Sequence, residues 1–305
     1  MFNSIGPSII LGTAMWGWTL SKAECFQLMD EFYRMGGRQV DAATNYPINK
    51  IPTDFRAAEQ ILLEWIGTHG ITDLEVIMKV GSINNLRTPD HNLSKSFLLL
   101  NLDDYRHRFG SNLDTFMIHW DNRDDRTEIE RSLEVLEIAV QDGLQAGLSG
   151  IRHPDIYAGL NEAFQLDFRI QVKHNLFQSD LDRYAPLQDH ARFLAYGINA
   201  GGVKLRTDHY RPESNLIVRG GSAGTTPLHT KLESLIPHWN QRDVPESIRN
   251  FNQISMIYAY HHPKINGILI GPSRIDQLQS SLHFFGLLAG DAYRPVYQSL
   301  LDIQN

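Results

Sequence analysis

Four side chains are of types suited to acid–base work at a carbonyl group: Asp41, Tyr46, Lys79 and His119. A tyrosine is a weak acid near neutral pH, with a reference pKa of about 10. A lysine ammonium beside it favours the phenolate, and an aspartate beside the lysine keeps that lysine charged and oriented. Such a trio makes a proton donor of usable strength. A histidine close by adds a hydrogen-bond donor where negative charge develops on an oxygen. Together the four suit proton delivery to a carbonyl oxygen and leave open what attacks the carbon. Taken singly, each has an ordinary explanation, since an Asp–Lys pair at a strand end is commonly a structural ion pair and a histidine after an apolar run is commonly a core residue. The elements that carry them decide whether they meet.

Each of the four follows an apolar run that reads as a buried strand. Gln39-Val40-Asp41 leads into Ala42-Ala43-Thr44-Asn45-Tyr46, Glu75-Val76-Ile77-Met78 stops on Lys79, and Phe116-Met117-Ile118 stops on His119-Trp120. Helical patterns follow: Ser21 with Glu24 forms a capping box ahead of Phe26, Leu28, Met29, Phe32 and Met35, and Ile129, Leu133, Leu136 and Val140 form a stripe at spacings of three and four. Further strands are expected at 8–14, 144–149, 168–173, 194–198 and 265–270. Helices are expected at about 56–67, 94–109, 128–142, from 154, at 184–193, 247–260 and 275–288. Eight alternations of strand and helix, with no composition break strong enough for a linker, predict an α/β fold, a single (β/α)8 TIM barrel over 1–305. A doubly wound sheet is the rival, and the eighth repeat argues against it. In a barrel of this kind the active site lies at the C-terminal ends of the strands, where Asp41, Lys79 and His119 stand, with Tyr46 in the loop after strand two. Neighbouring strands are ~4.8 Å apart, so three in succession bring these groups within ~10 Å of one another.

Composition narrows the function classes. The net charge of -7 and the lack of an extensive basic patch disfavour an electrostatic hold on nucleic acid or an acidic membrane surface. Cys25 is the only cysteine, which excludes an intramolecular disulfide or a CxxC site, and its place on an apolar helix face predicts core packing. No apolar run approaches the ~20 residues of a membrane span, and no basic n-region opens the chain, so a cytoplasmic protein is expected. His261-His262 lacks the i, i+4 spacing of shared ligation, and no third ligand is evident, so no metal is expected. A G-x-G-x-x-G after the first strand and a Walker A run are both missing.

The chain resembles the aldo-keto reductases over nearly its whole length. The resemblance is carried by Leu11-Gly12-Thr13, Asp41-Ala42-Ala43 with Tyr46, Glu59, Lys79, His119-Trp120, Gly147-Leu148-Ser149, Gln171 with Asn175, Leu194-Ala195-Tyr196, Gly201-Gly202, and Gly271-Pro272-Ser273-Arg274 with Gln277-Leu278. It implies reversible reduction of an aldehyde or ketone, with Tyr46 as general acid, Lys79 and Asp41 tuning it, and His119 orienting the carbonyl. It implies a nicotinamide cofactor, NADPH preferred and NADH possible. Ser149 and Gln171 would hold the carboxamide, Tyr196 would stack on the nicotinamide, and the segment Gly201 to Leu205, with the loop beyond, would run along the pyrophosphate. Ser273 and Arg274 would meet a 2′-phosphate, with Gln277 and Ser281 towards the adenine. Three positions depart from the family pattern: Gly150 stands where asparagine is usual, Ser281 where asparagine or glutamate is common, and Ser273 where lysine or arginine often precedes the matched arginine.

Trp16, Trp18 and Trp120 fall at the exits of strands one and four and are expected to wall a substrate pocket. Asn84, Asn85 and Arg87 follow strand three, and Arg123 or Lys50 is a candidate for meeting a carboxylate or phosphate. Aromatic walls with a polar fringe suit a sugar aldehyde and an aromatic carbonyl equally. Two other functions stay open: an NADPH-binding regulatory or redox-sensing barrel with little turnover, and a Schiff-base lyase or aldolase using Lys79.

Overall fold

Period-two patterning sorts the strand residues into two separate apolar clusters, and the fold is what reconciles them. The structure is a computed structural model that describes residues 6–212 and 214–304. Among these, eight parallel strands form the barrel: β1 (Ser8–Gly12), β2 (Gln39–Ala43), β3 (Glu75–Val80), β4 (Leu113–His119), β5 (Gln145–Ser149), β6 (Phe168–Asn175), β7 (Ala191–Tyr196) and β8 (Ile265–Ile270). They pair in the order β5-β4-β3-β2-β1-β8-β7-β6, and β5 pairs with β6 to close the ring. Ile10, Ile77, Met117, Leu194 and Leu269 point inward and fill the barrel. Their neighbours Leu11, Val40, Val76, Met78, Phe116, Ile118, Ile170 and Phe193 point outward into the larger core under the helices. Alternation along a strand makes both faces apolar here because both are covered.

The helices that cover the barrel are α1 (Lys22–Arg34), α2 (Ala57–His69), α3 (Lys95–Phe109), α4 (Arg126–Gln141), α5 (Pro154–Phe164), a short α6 (Asn215–Val218), α7 (Pro227–Asn240), α8 (Phe251–Tyr260), α9 (Ile275–Leu287) and α10 (Arg294–Gln304). The Ser21–Glu24 capping box is formed, and the Asp125 side chain caps α4 by accepting from the Glu128 N–H at 3.0 Å. Leu28, Met29 and Phe32 are buried as the periodicity requires, and Cys25 is buried with them, its thiol pushed up to about 12 by desolvation. Val140, placed on the α4 stripe by spacing, is instead exposed, and Ala139 takes the buried position at the end of that helix. Glu59 is fully buried in an α2–α3 cluster with Arg56, Arg108 and the Tyr105 hydroxyl, so its role is to fasten two helices.

Two stretches differ from the expected elements. Residues 184–193 are not an α-helix: a 3-10 stretch covers Leu181–His190 and contains Pro186, which cannot donate to an α-helical ladder, and β7 begins at Ala191 rather than Leu194. Helix α7 was not anticipated. Pro227 and Pro237 disguise its pattern, yet Pro227 sits in its first turn, where no intrahelical donor is lost, and Thr226 with His229 forms the capping pair.

Candidate active site

The barrel register brings the inward-facing polar residues to one end. Ala43 lies opposite Lys79, Lys79 opposite Met117, His119 opposite Ser149, and Ser149 opposite Gln171. Above the apolar filling, the C-terminal ends of β2 to β6 thus contribute Asp41, Lys79, His119, Ser149 and Gln171. Lys79 is 0% exposed, Asp41 2% and His119 3%. A buried ion pair is stable only when its remaining donors and acceptors are matched. Lys79 donates to both Asp41 carboxylate oxygens, and the Gln171 Nε2 donates to Oδ1 of the same group. Ser149 Oγ donates to Gln171 Oε1 at 3.5 Å. Two residues expected only to hold a cofactor are therefore linked to Asp41, a connection that sequence reading did not anticipate.

Tyr46 stands over this network. The Lys79 ammonium lies 4.8 Å from the centre of the Tyr46 ring, and the rings of Tyr46 and His119 meet edge-on with centroids 6.3 Å apart. Burial works against the charged form of Lys79, but Asp41 and then Tyr46 outweigh it, so the ammonium is held above its ordinary pKa. Burial pushes the Tyr46 phenol up, Lys79 pulls it back, and Asp41 pushes it up again. The net direction is upward, whereas the bare trio suggests a lowered value; desolvation outweighs the ammonium while no charge has developed beside it. Burial and the Lys79 charge hold His119 neutral, well below the ordinary histidine range. Its Nδ1 is buried without a hydrogen-bond partner.

The three tryptophans separate. Trp16 is 1% exposed and belongs to the core, which corrects its expected place in a pocket wall. The chain after β1 folds into a tight turn, with the Trp16 N–H donating to the Thr13 carbonyl at 3.0 Å and the Gly17 N–H to the Leu20 carbonyl at 2.9 Å, and this turns the indole inward. Trp18 and Trp120 are half-buried at the mouth. Trp120 packs beside His119 with ring centroids 4.9 Å apart and planes tilted by 42°. It also accounts for Gly150: that residue has φ +69°, and a Cβ there would fall 2.6 Å from Trp120 Cδ1. The indole occupies the space into which a side chain at 150 would start.

Arg123 does not reach the mouth. It is locked onto Asp121 at 2.9 and 2.8 Å and donates to Ser132 Oγ at 2.9 Å, an internal brace that the Tyr157 hydroxyl completes. Lys50 is exposed on the loop after β2. The residues that follow β7 and β8 gather separately. Tyr196 is half-buried against the apolar barrel filling, and its phenol is raised by burial and by a set of neighbours that includes Tyr46. Gly201 (φ +84°) and Gly202 (φ +104°) turn the chain in a conformation open to glycine. Ser273 donates through N–H and Oγ to Gln277 Oε1, both at 3.0 Å, and Arg274 pairs with Asp276 in the open. Ser281 accepts from Asn252 at 3.2 Å, and Asn252 in turn accepts from Asn199 at 2.8 Å.

Sequence reading missed Asn199, Asn252 and Arg219, and gave Lys204 no individual role within the Gly201 to Leu205 segment. Lys204 is half-buried, and its pKa is lowered by burial and by the charge of Arg274, so the two cations lie within electrostatic reach of each other. Its position directly after Gly201-Gly202-Val203 was the available signal. Arg219 has no local signal, because a loop arginine between polar residues looks like surface.

The profile of the Aldo/keto reductase family matches residues 8–291, and the chain belongs to that family. It is thus a (β/α)8 oxidoreductase of a family that acts on small carbonyl compounds and generally uses NAD(P)H. A comparison with curated proteins gives no match. No helix among the described residues is long and apolar enough to cross a membrane.

Proposed function

We propose that the protein is an NADPH-dependent reductase of aldehydes or ketones with Tyr46 as general acid. The observation that carries this reading is the position of Lys79 between the Asp41 carboxylate and the Tyr46 ring, beside a neutral His119. NADPH, when bound, supplies the hydride. The chain does the rest. His119 orients the carbonyl oxygen and Tyr46 gives it a proton as charge develops there. Lys79 stabilises the phenolate that remains, and Asp41 keeps Lys79 charged and in place.

The residues fit such a cofactor. Ser149 and Gln171 present polar atoms at the barrel mouth for the carboxamide, Tyr196 offers a ring above the barrel filling, and Gly201 and Gly202 allow backbone to approach the pyrophosphate. Lys204 and Arg274, in electrostatic reach of each other, would flank the 2′-phosphate, because an anion between two cations removes their repulsion. Ser273, Gln277 and Ser281 line the same side, and the buried Asn199 Oδ1 lacks a partner. The chain of 305 residues is read as one barrel domain working in the cytoplasm.

The Schiff-base alternative requires a neutral amine, and Asp41 works against that at Lys79. Borohydride trapping of a substrate adduct at Lys79 would favour it. The direct test is Tyr46→Phe: turnover should fall by ~10²-fold or more while NADPH still quenches tryptophan fluorescence. A near-normal rate removes Tyr46 from the mechanism, and NADPH binding without turnover of any carbonyl by the wild type would point to the regulatory reading.

A further inference from the structure

The long segment between β7 and α7 brings one arginine back across the barrel. Arg219, just past α6, places Nη2 3.1 Å from Sδ of Met15 in the loop after β1. It lies within the electrostatic reach of Tyr46. Arg87, from the loop after β3, reaches the same lip. Its Nε donates to the Ile48 carbonyl at 3.0 Å, its Nη1 lies 3.5 Å from the Arg219 carbonyl, and its guanidinium sits 5.4 Å over the Trp18 ring. Among the described residues no carboxylate forms an ion pair with either arginine, whereas Arg56, Arg106, Arg108, Arg123 and Arg169 all have acidic partners.

We infer that Arg219, seconded by Arg87, is a specificity-determining residue that selects a carbonyl substrate bearing an anionic group, a carboxylate or a phosphate monoester, with its C=O directed at Tyr46. This rests on the reductase reading above and names its substrate class. Two guanidinium groups on one lip repel until an anion lies between or beneath them. Arg219 is exposed on the lip, yet crowding by neighbouring protein lowers its pKa, Tyr46 raises it and Arg87 lowers it again, which is the setting in which an added anion is most welcome. A guanidinium stays charged under such shifts and offers a fork of donors matched to carboxylate or phosphate oxygens. The place of the pair argues for substrate rather than cofactor. Arg219 also follows β7, but its side chain returns to Met15 and Arg87 lies over Trp18, both in the loop after β1, with Tyr46 in electrostatic reach, whereas Lys204 and Arg274 influence each other on the side of β7 and β8.

The test compares matched probes under NADPH: 4-oxobutanoate against butanal for the carboxylate, and glyceraldehyde 3-phosphate against glyceraldehyde for the phosphate. In the wild type, kcat/KM for the anionic member of at least one pair should exceed that of its neutral partner by ~10-fold or more, and the pair that shows it identifies the anion. Arg219→Ala should bring that ratio down by ~10-fold, towards one, mainly through KM, and Arg219→Lys should restore part of it. NADPH affinity, read by tryptophan fluorescence, serves as the second readout. A wild-type ratio near one in both pairs, or an equal loss on anionic and neutral probes in Arg219→Ala, overturns the inference and leaves the reductase reading standing. So does a loss of NADPH affinity that accounts for the whole effect. Failure of the wild type to reduce any of the four probes overturns the reductase reading and the inference with it.

Discussion

The two halves of the barrel mouth are built differently. On the side of β2 to β6 the polar groups sit on strands, are almost wholly buried and bond one another: Lys79 and Gln171 to Asp41, Ser149 to Gln171. On the side of β7 and β8 they sit mostly on loops and helix starts, are half or fully exposed apart from the buried Ser281, and include Lys204 in electrostatic reach of Arg274 and Arg219 without an acidic partner among the described residues. The first half is pre-organised, with each group held by strand register and by the cost of leaving a buried charge unmatched. The second leaves charge unsatisfied, which is what recognition of an anionic molecule requires. Chemistry and recognition are thus divided between rigid strands and longer connections, as expected where one scaffold carries many activities.

Asp41→Ala should break the first half most severely. It leaves the Lys79 ammonium buried beside an aromatic ring with no counter-charge, so unfolding should become easier by about 3–5 kcal/mol in denaturant titration. A loss no larger than that of an exposed ion pair would mean that the network is not the fastening it looks to be.

Gly150→Asn sharpens the comparison at the seam. An asparagine there meets the Trp120 indole and should cost about 1–3 kcal/mol in the wild type. The same change in a Trp120→Ala background should cost clearly less, and equal costs in the two backgrounds would separate the two positions.

Arg274→Ala addresses the second half. Its side chain is mostly exposed and paired with Asp276, so stability should shift by no more than about 0.5 kcal/mol. NADPH should bind ~10-fold more weakly while NADH changes little, since only the former carries a 2′-phosphate. Equal losses for both dinucleotides would remove Arg274 from 2′-phosphate recognition.

Much of this was legible in order along the chain because the relevant signals are local. Period-two apolar runs ending on Asp41, Lys79 and His119 place three side chains at strand exits whatever the packing, and the Ser21–Glu24 box announces its own helix. Where two local rules conflicted, reading failed. Pro186 lies inside a run with helical spacing and the chain adopts a 3-10 path, while prolines at both ends of α7 concealed a real helix. Trp16 and Trp18 are two residues apart with similar surroundings, and only the turn after β1 sends one into the core and the other to the mouth.

The sequence alone therefore determined the alternation of strand and helix, the strand exits that carry Asp41, Lys79 and His119, and the family, because these depend on neighbours a few residues away. Tertiary structure alone decided that Gln171 bonds Asp41 across 130 positions, that Trp120 stands over Gly150, and that Arg219 returns across 204 positions to Met15. Those contacts join residues far apart in the chain, and barrel closure, which no local pattern encodes, is what brings them into one mouth.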